Sequence, residues 1–125
     1  MKPLVYLAAP YSYPDPASNT VRVLRVASDL YDSGLVVPLV PHLTLLWDAI
    51  DPRPVEHWYG YDLELLRRSD AILRLAGLSY GADQEVTEAV AIGLPTFSSP
   101  DDLLRWARAE SRHTLFAEAG LPVQS

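Results

Sequence analysis

The sequence contains no cysteine. That excludes disulfides, thiolate nucleophiles and cysteine-ligated zinc or iron–sulfur centres. Its three histidines, His42, His57 and His113, are scattered rather than clustered, so no metal site and no cofactor is expected. No apolar run approaches the ~20 residues that a membrane-spanning helix needs, and the expectation is a soluble protein without a membrane partner. Basic residues are scarce: ten Lys and Arg stand against sixteen Asp and Glu, a formal net charge of −6. Such a chain is poorly suited to coating nucleic-acid phosphates, and a nucleotide partner would be a free small molecule in a pocket rather than a polymer. Neither a GxGxxG nor a Walker A loop occurs, which speaks against a dehydrogenase or an NTPase. The opening LVYLAA run is interrupted by Pro10 and Tyr11 before a secretory h-region is complete. A cytoplasmic location is the expectation.

What is present reads as alternating strand and helix. At 125 residues the chain is expected to be one domain, 1–125, long enough to bury roughly two thirds of its unfolded surface. Leu4 to Ala9 is nearly all apolar, as suits a central parallel strand buried on both faces. PYSYPDP, Pro10 to Pro16, must be a loop, and Asp15-Pro16 is an N-cap followed by a first-turn proline. Val23, Val26, Ala27, Leu30 and Tyr31 form the apolar stripe of a helix that stops at Gly34. Further strands are expected at Leu35 to Leu39, Ala71 to Leu75 and Leu94 to Ser98. Helices are expected near Leu43 to Ala49, at Val55 to Arg68, within Ser79 to Pro95, and from Ser99-Pro100 onward. The pattern predicts an α/β fold: a Rossmann- or flavodoxin-like parallel sheet of four to five strands with helices on both faces. Ligands of such folds sit at the carboxyl ends of the strands, which directs attention to the loops after Ala8, Leu39, Leu75 and Phe97.

Two carboxylates interrupt apolar faces. At about 100° per residue, Ala82, Val86, Ala89, Val90, Ile92 and Gly93 form a broad sector, and Glu85 lies inside it while Glu88 lies outside. In the Val55 to Arg68 helix, Asp62 fills the slot between Tyr59 and Leu65 in the series Val55, Trp58, Tyr59, Leu65, Leu66. An ionised carboxylate is costly to bury without donors. The pattern fits two readings: structural carboxylates that cap a loop or pair with an arginine, or an acid–base or nucleophilic pair at the sheet's carboxyl edge. Tyr6, in a strand buried on both faces, needs a hydroxyl partner, which a carboxylate or a backbone group can supply. Ser79 and Gly81 precede a helix whose free amides favour an anion, although they are equally ordinary turn and cap residues.

YLAAPYS (Tyr6 to Ser12), YDLELLRRSDAI (Tyr61 to Ile72), SYGADQE (Ser79 to Glu85) and AVAIGLP (Ala89 to Pro95) together resemble the nucleoside 2-deoxyribosyltransferase-like superfamily. The likeness is greatest to its small nucleotide N-glycosidase branch and to uncharacterised bacterial proteins with a YLAxPYS opening. It spans roughly Val5 to Phe97. The most informative part is the serine-x-glycine-x-x-x-glutamate spacing with a glycine eight residues later, kept by Ser79, Gly81, Glu85 and Gly93. The resemblance implies cleavage of a base–sugar bond in a nucleoside or its 5′-monophosphate, by hydrolysis or deoxyribosyl transfer, without a cofactor. Glu85 then matches the nucleophile, Asp62 the carboxylate handling sugar hydroxyls or leaving base, Tyr6 the tyrosine orienting the glutamate, and Ser79 the serine at the substrate's 5′ end. The substrate-binding candidates are Ala8, Ala9, Pro10, Tyr11, Ser12, His42, Trp58, Ser79 and Gly81, with a surface-loop position the leading reading for His42, which follows Pro41 at a strand exit, and a core position the alternative for Trp58. Tyr13 and Trp47 are further stacking candidates. The chain departs from nucleotide-binding relatives after the first strand, where Ala9, Pro10 and Tyr11, with Asp15 nearby, replace glycine and arginine. Ser12, Ser79, the helix amides and Arg22 are the groups left to hold a phosphate. The resemblance also implies a homodimer, for which Leu43, Leu45, Leu46 and Trp47 supply an apolar patch. The alternative is a non-catalytic nucleotide-binding or sensor protein on the same fold.

Overall fold

The computed structural model describes residues 1–120. The chain opens with strand β1 (Leu4–Ala8), followed by helix α1 (Pro16–Asp32), strand β2 (Val37–Leu39), a single 3₁₀ turn (Pro41–Leu43) and the short helix α2 (Thr44–Ile50). Helix α3 (Val55–Arg67), strand β3 (Ala71–Arg74), helix α4 (Tyr80–Ala91), strand β4 (Thr96–Phe97) and helix α5 (Pro100–Glu118) complete it. The four strands form one parallel sheet in the order β2-β1-β3-β4. β1 connects outward to β2 on one side and β3 lies on its other side, so the order reverses between β1 and β3. The crevice at their carboxyl ends is the ligand position of such folds.

Local chemistry sets the element boundaries. Asp15 caps α1 by accepting from the Ser18 amide at 2.8 Å, and Ser99 caps α5 toward Asp102 at 3.4 Å. Gly34, at φ 72°, takes the left-handed conformation that ends α1. The outer strands are shorter than the apolar runs suggest. β2 begins only at Val37, whose amide reaches the Pro3 carbonyl at 2.8 Å, because Leu35 and Val36 are still leaving the α1 terminus. β4 shrinks to Thr96–Phe97 since Pro95 has no N–H to donate and contributes only its carbonyl, to Ile72 at 3.0 Å.

Alternation along β1 divides the interior. Val5, Leu7 and Ala9 join Val23, Ala27 and Leu30 of α1 and Leu103 and Ala107 of α5 on one side of the sheet. Tyr6 and Ala8 join Ile72 of β3, Leu66 of α3, and Ala82 and Ala89 of α4 on the other. The helical stripes are narrower than the periodicity implies. Tyr31, Val55, Tyr59, Val90 and Ile92 are exposed, because a sheet with short outer strands covers little more than the central row of each helix. Among the described residues, no helix is long and apolar enough to cross a membrane.

Candidate active site

At the carboxyl ends of β1 and β3 the surface opens into a cavity of about 520 Å³. Its walls come from the loop after β1 (Ala9 to Tyr13), the turn after β2 (Pro41, His42, Thr44), the α2–α3 segment, and the start of α4. A larger hollow of about 690 Å³ lies at the opposite, amino edge, against Trp106 and Glu110 of α5. It lies away from the switch crevice and from the Asp62–Glu85 pair, so the smaller cavity is the candidate site.

Glu85 is 9% exposed and reaches this cavity from the second turn of α4. That helix starts there because Ser79, in extended backbone, accepts from the Ala82 amide at 3.0 Å. The Glu85 Oε2 atom accepts a hydrogen bond from the Tyr6 hydroxyl, whose ring is fully buried between β1 and α4. Asp62 enters from α3 and is partly buried. Its Oδ1 has no surface and no hydrogen-bond partner among the described residues.

This arrangement sets the protonation of the pair. Burial, then the neighbouring Glu85 charge, pushes Asp62 up to about 8. Burial also raises Glu85, to about 7, against the opposing Tyr6 hydrogen bond and the Arg74 charge. Tyr6 is driven far above the ordinary tyrosine range, by burial first and by the two carboxylates next. The physical cause is an asymmetry of donors. Among the described residues Glu85 has one and Asp62 has none, and Glu85 also feels the Arg74 charge, so near neutrality Asp62 keeps a proton more readily than Glu85.

His42 is also buried, at 4% exposure, instead of lying on a surface loop. Its Nε2 lies 2.9 Å from the Pro10 carbonyl. A carbonyl only accepts, so Nε2 carries the proton and Nδ1 is left as an acceptor without a partner among the described residues. Burial lowers its pKa, and the ring is neutral. Ala9, Pro10, Tyr11, Ser12, Trp58, Ser79 and Gly81 line the cavity as well. Ala8 does not: its side chain packs in the core beside Leu66 and Ile72. Trp58 both lines the cavity and closes the core, with Trp47 packed edge-on against it at 5.0 Å. Trp47 itself is outside the cavity wall. Arg22 is turned away, donating to the Ala76 carbonyl at 2.7 Å.

Several wall residues carry no periodic signal in the sequence. Asp48 accepts from Trp58 Nε1 at 2.6 Å and from the Arg53 amide at 3.0 Å, bracing the α2–α3 segment. Arg53 lines the cavity with its guanidinium engaged by Asp51 at 2.7 Å. The need of buried Trp58 for an acceptor was the one available pointer to Asp48. On the loop after β3, Gly77 has φ 126°, and a Cβ there would lie 2.6 Å from Pro10 Cγ. Only glycine lets the β1 and β3 loops meet so closely. Among the described residues, no group of three or more His, Asp or Glu converges as ligands of a metal ion.

No family model matches this chain, and no curated protein does. Among solved structures, the 2-deoxyribosyltransferase of the psychrotolerant bacterium Bacillus psychrosaccharolyticus, described as a biocatalyst for synthesis of antiviral and antitumoral nucleosides, is similar to it. The TM-score is 0.52 at 18% identity, over 74% of this chain and 69% of that one. The likeness agrees with the parallel α/β architecture, and the chain has a nucleoside 2-deoxyribosyltransferase-like fold.

Proposed function

We propose that the protein cleaves the N-glycosidic bond of a nucleoside or nucleoside 5′-monophosphate, passing the sugar to water or to a second base. The observation that carries this reading is the pairing of a tyrosine-anchored Glu85 with a donorless Asp62 in one cavity. Glycosidic cleavage develops oxocarbenium character at the anomeric carbon, which a carboxylate stabilises or captures. Glu85, held by the Tyr6 hydroxyl and the more readily ionised of the pair, attacks C1′ as the C1′–N bond breaks. Asp62 donates its proton to the departing base. Water or an incoming base then attacks C1′, its proton passes to Asp62, and Glu85 is released as carboxylate. Tyr11 and Trp58 flank the space in which a base would stack. The fold likeness supports nucleosides as the substrate class.

The same reading includes a homodimer in the cytoplasm. Leu43, Leu46, Trp47 and Ile50 are exposed together on the 3₁₀ turn and α2, beside the cavity mouth. A patch of this kind marks an interaction surface, and a second copy placed there would narrow the opening.

Incubation with a panel of nucleosides and 5′-monophosphates, followed by chromatography for free base, tests the proposal. Release of base from at least one substrate is expected. Saturable binding without release would replace the enzyme with a nucleotide-binding sensor on the same fold.

A further inference from the structure

Arg74 ends β3 on the side of the sheet occupied by Ile72 and, in register beside it, Ala8. An apolar residue would continue that row. Instead, a guanidinium with a side chain only 19% exposed sits below the first turn of α4, where the helix dipole disfavours a cation. All three of its nitrogens donate. Nη1 donates to the Leu75 carbonyl, Nη2 to the Gly77 carbonyl at 2.8 Å, and Nη2 and Nε to Asp83 Oδ1 at 3.0 and 3.3 Å. One side chain therefore curls the loop leading to Ser79 and ties it to the helix that carries Glu85, two residues beyond Asp83.

We propose that Arg74 is a positioning residue for the Glu85 carboxylate and the Ser79 loop, an inference that rests on the N-glycosidic reading of the site. The groups around Glu85 divide by element. β1 supplies Tyr6, which donates to it. α3 supplies Asp62 and Tyr59, whose ionised forms its charge opposes. α4 supplies Tyr80 at its start, Asp83, bound to Arg74, and Glu88, bound to Arg67 of α3 at 3.1 Å; β4 supplies no titratable side chain. Arg74 of β3 is the cation whose charge favours the carboxylate form of Glu85. Its planar fork spans three acceptors at once, which a lysine ammonium does not reproduce.

The test is a carbon-13 NMR titration of the Glu85 side chain, identified by its loss in Glu85→Gln, in wild type, Arg74→Gln, Arg74→Met and Arg74→Lys. Kinetics accompany it. The neutral variants are expected to raise the Glu85 midpoint by about one pH unit and to move the acidic limb of kcat/KM by the same amount. Arg74→Lys is expected to keep the midpoint near the wild-type value while raising KM several-fold, with kcat nearly unchanged. An unchanged midpoint in a folded neutral variant overturns the proposal, as does failure of both neutral variants to fold, which would make Arg74 a scaffold residue. The titration needs no substrate. A wild-type protein that releases no base would refute the N-glycosidic reading and leave the Arg74 result standing.

Discussion

The two faces of this sheet are built from alternate residues of the same strand, and they do different work. Leu7 faces α1 and α5, in a core cluster whose buried members are all apolar. Its neighbour Tyr6 faces α3 and α4, where the apolar cluster is smaller and a hydroxyl–carboxylate pair occupies space that aliphatic side chains would fill. Burying those polar groups costs stability. The α1/α5 face, by supplying the larger apolar cluster, lets the other face hold two carboxylates with raised proton affinity. One side holds the molecule together and the other holds a site.

Substitutions can break this division in either direction. Glu85→Ala should lower base release by on the order of 10⁴-fold or more, with the circular-dichroism spectrum and melting cooperativity retained. Turnover equal to wild type would remove Glu85 from the chemistry. Leu7→Ala should act in the opposite way, costing about 3 kcal/mol of stability in chemical denaturation while the folded fraction keeps its kcat. A large loss of kcat without loss of stability would erase the contrast between the faces.

Asp62→Asn preserves shape and removes the proton. A fall in kcat of about 10²-fold is expected, with ligand affinity nearly unchanged. In wild type the acid at about 8 and the carboxylate at about 7 predict a bell-shaped kcat/KM that rises through pH 7 and falls through pH 8. The asparagine variant should lose the alkaline limb. Collapse of binding with intact turnover of bound substrate would recast Asp62 as a binding residue.

Stability carries the same signature. Both carboxylates bind protons more tightly in the folded chain, so between about pH 4 and pH 8 the native state holds more protons than the unfolded one. Their contribution is full below about pH 4 and is lost as the pH rises through 7 and 8. Urea titrations of wild type and the Asp62→Asn, Glu85→Gln double variant should diverge over that window, the variant remaining flatter. Parallel curves would show that the pair is less buried than its geometry indicates. The smallest effect expected is from Trp47→Glu, which should shift light-scattering mass toward the monomer with little change in melting temperature. A wild-type mass near 14 kDa at every concentration would exclude the dimer.

Much of this was legible in the sequence wherever the signal is local. The Asp15 and Ser99 caps, the Gly34 stop, the α3 boundaries and the inward slots of Asp62 and Glu85 all follow from neighbours within a turn or two. Periodicity identified apolar residues but not how much sheet would cover them, and Tyr31 and Val90 are exposed for that reason. The unread features join distant positions. His42 is buried because the Pro10 carbonyl meets it across 32 residues, and Asp48 matters because Trp58 requires an acceptor. Arg74 is, in the sequence, one residue within the expected Ala71 to Leu75 strand, and its bonds to Leu75, Gly77 and Asp83 exist only once the following loop has folded around it.

The contact between Gly77 and Pro10 also restricts how this pocket can diversify. With no room for even one added carbon between them, the β1 and β3 loops behave as interlocked parts, and lengthening or decorating one displaces the other. Variation in ligand size has more room in the α2–α3 segment, where Val55 and Tyr59 line the cavity with exposed side chains. For directed evolution toward a bulkier ligand, Thr44, Val55 and Tyr59 are the positions to randomise, and the two interlocked loops are the place to leave alone.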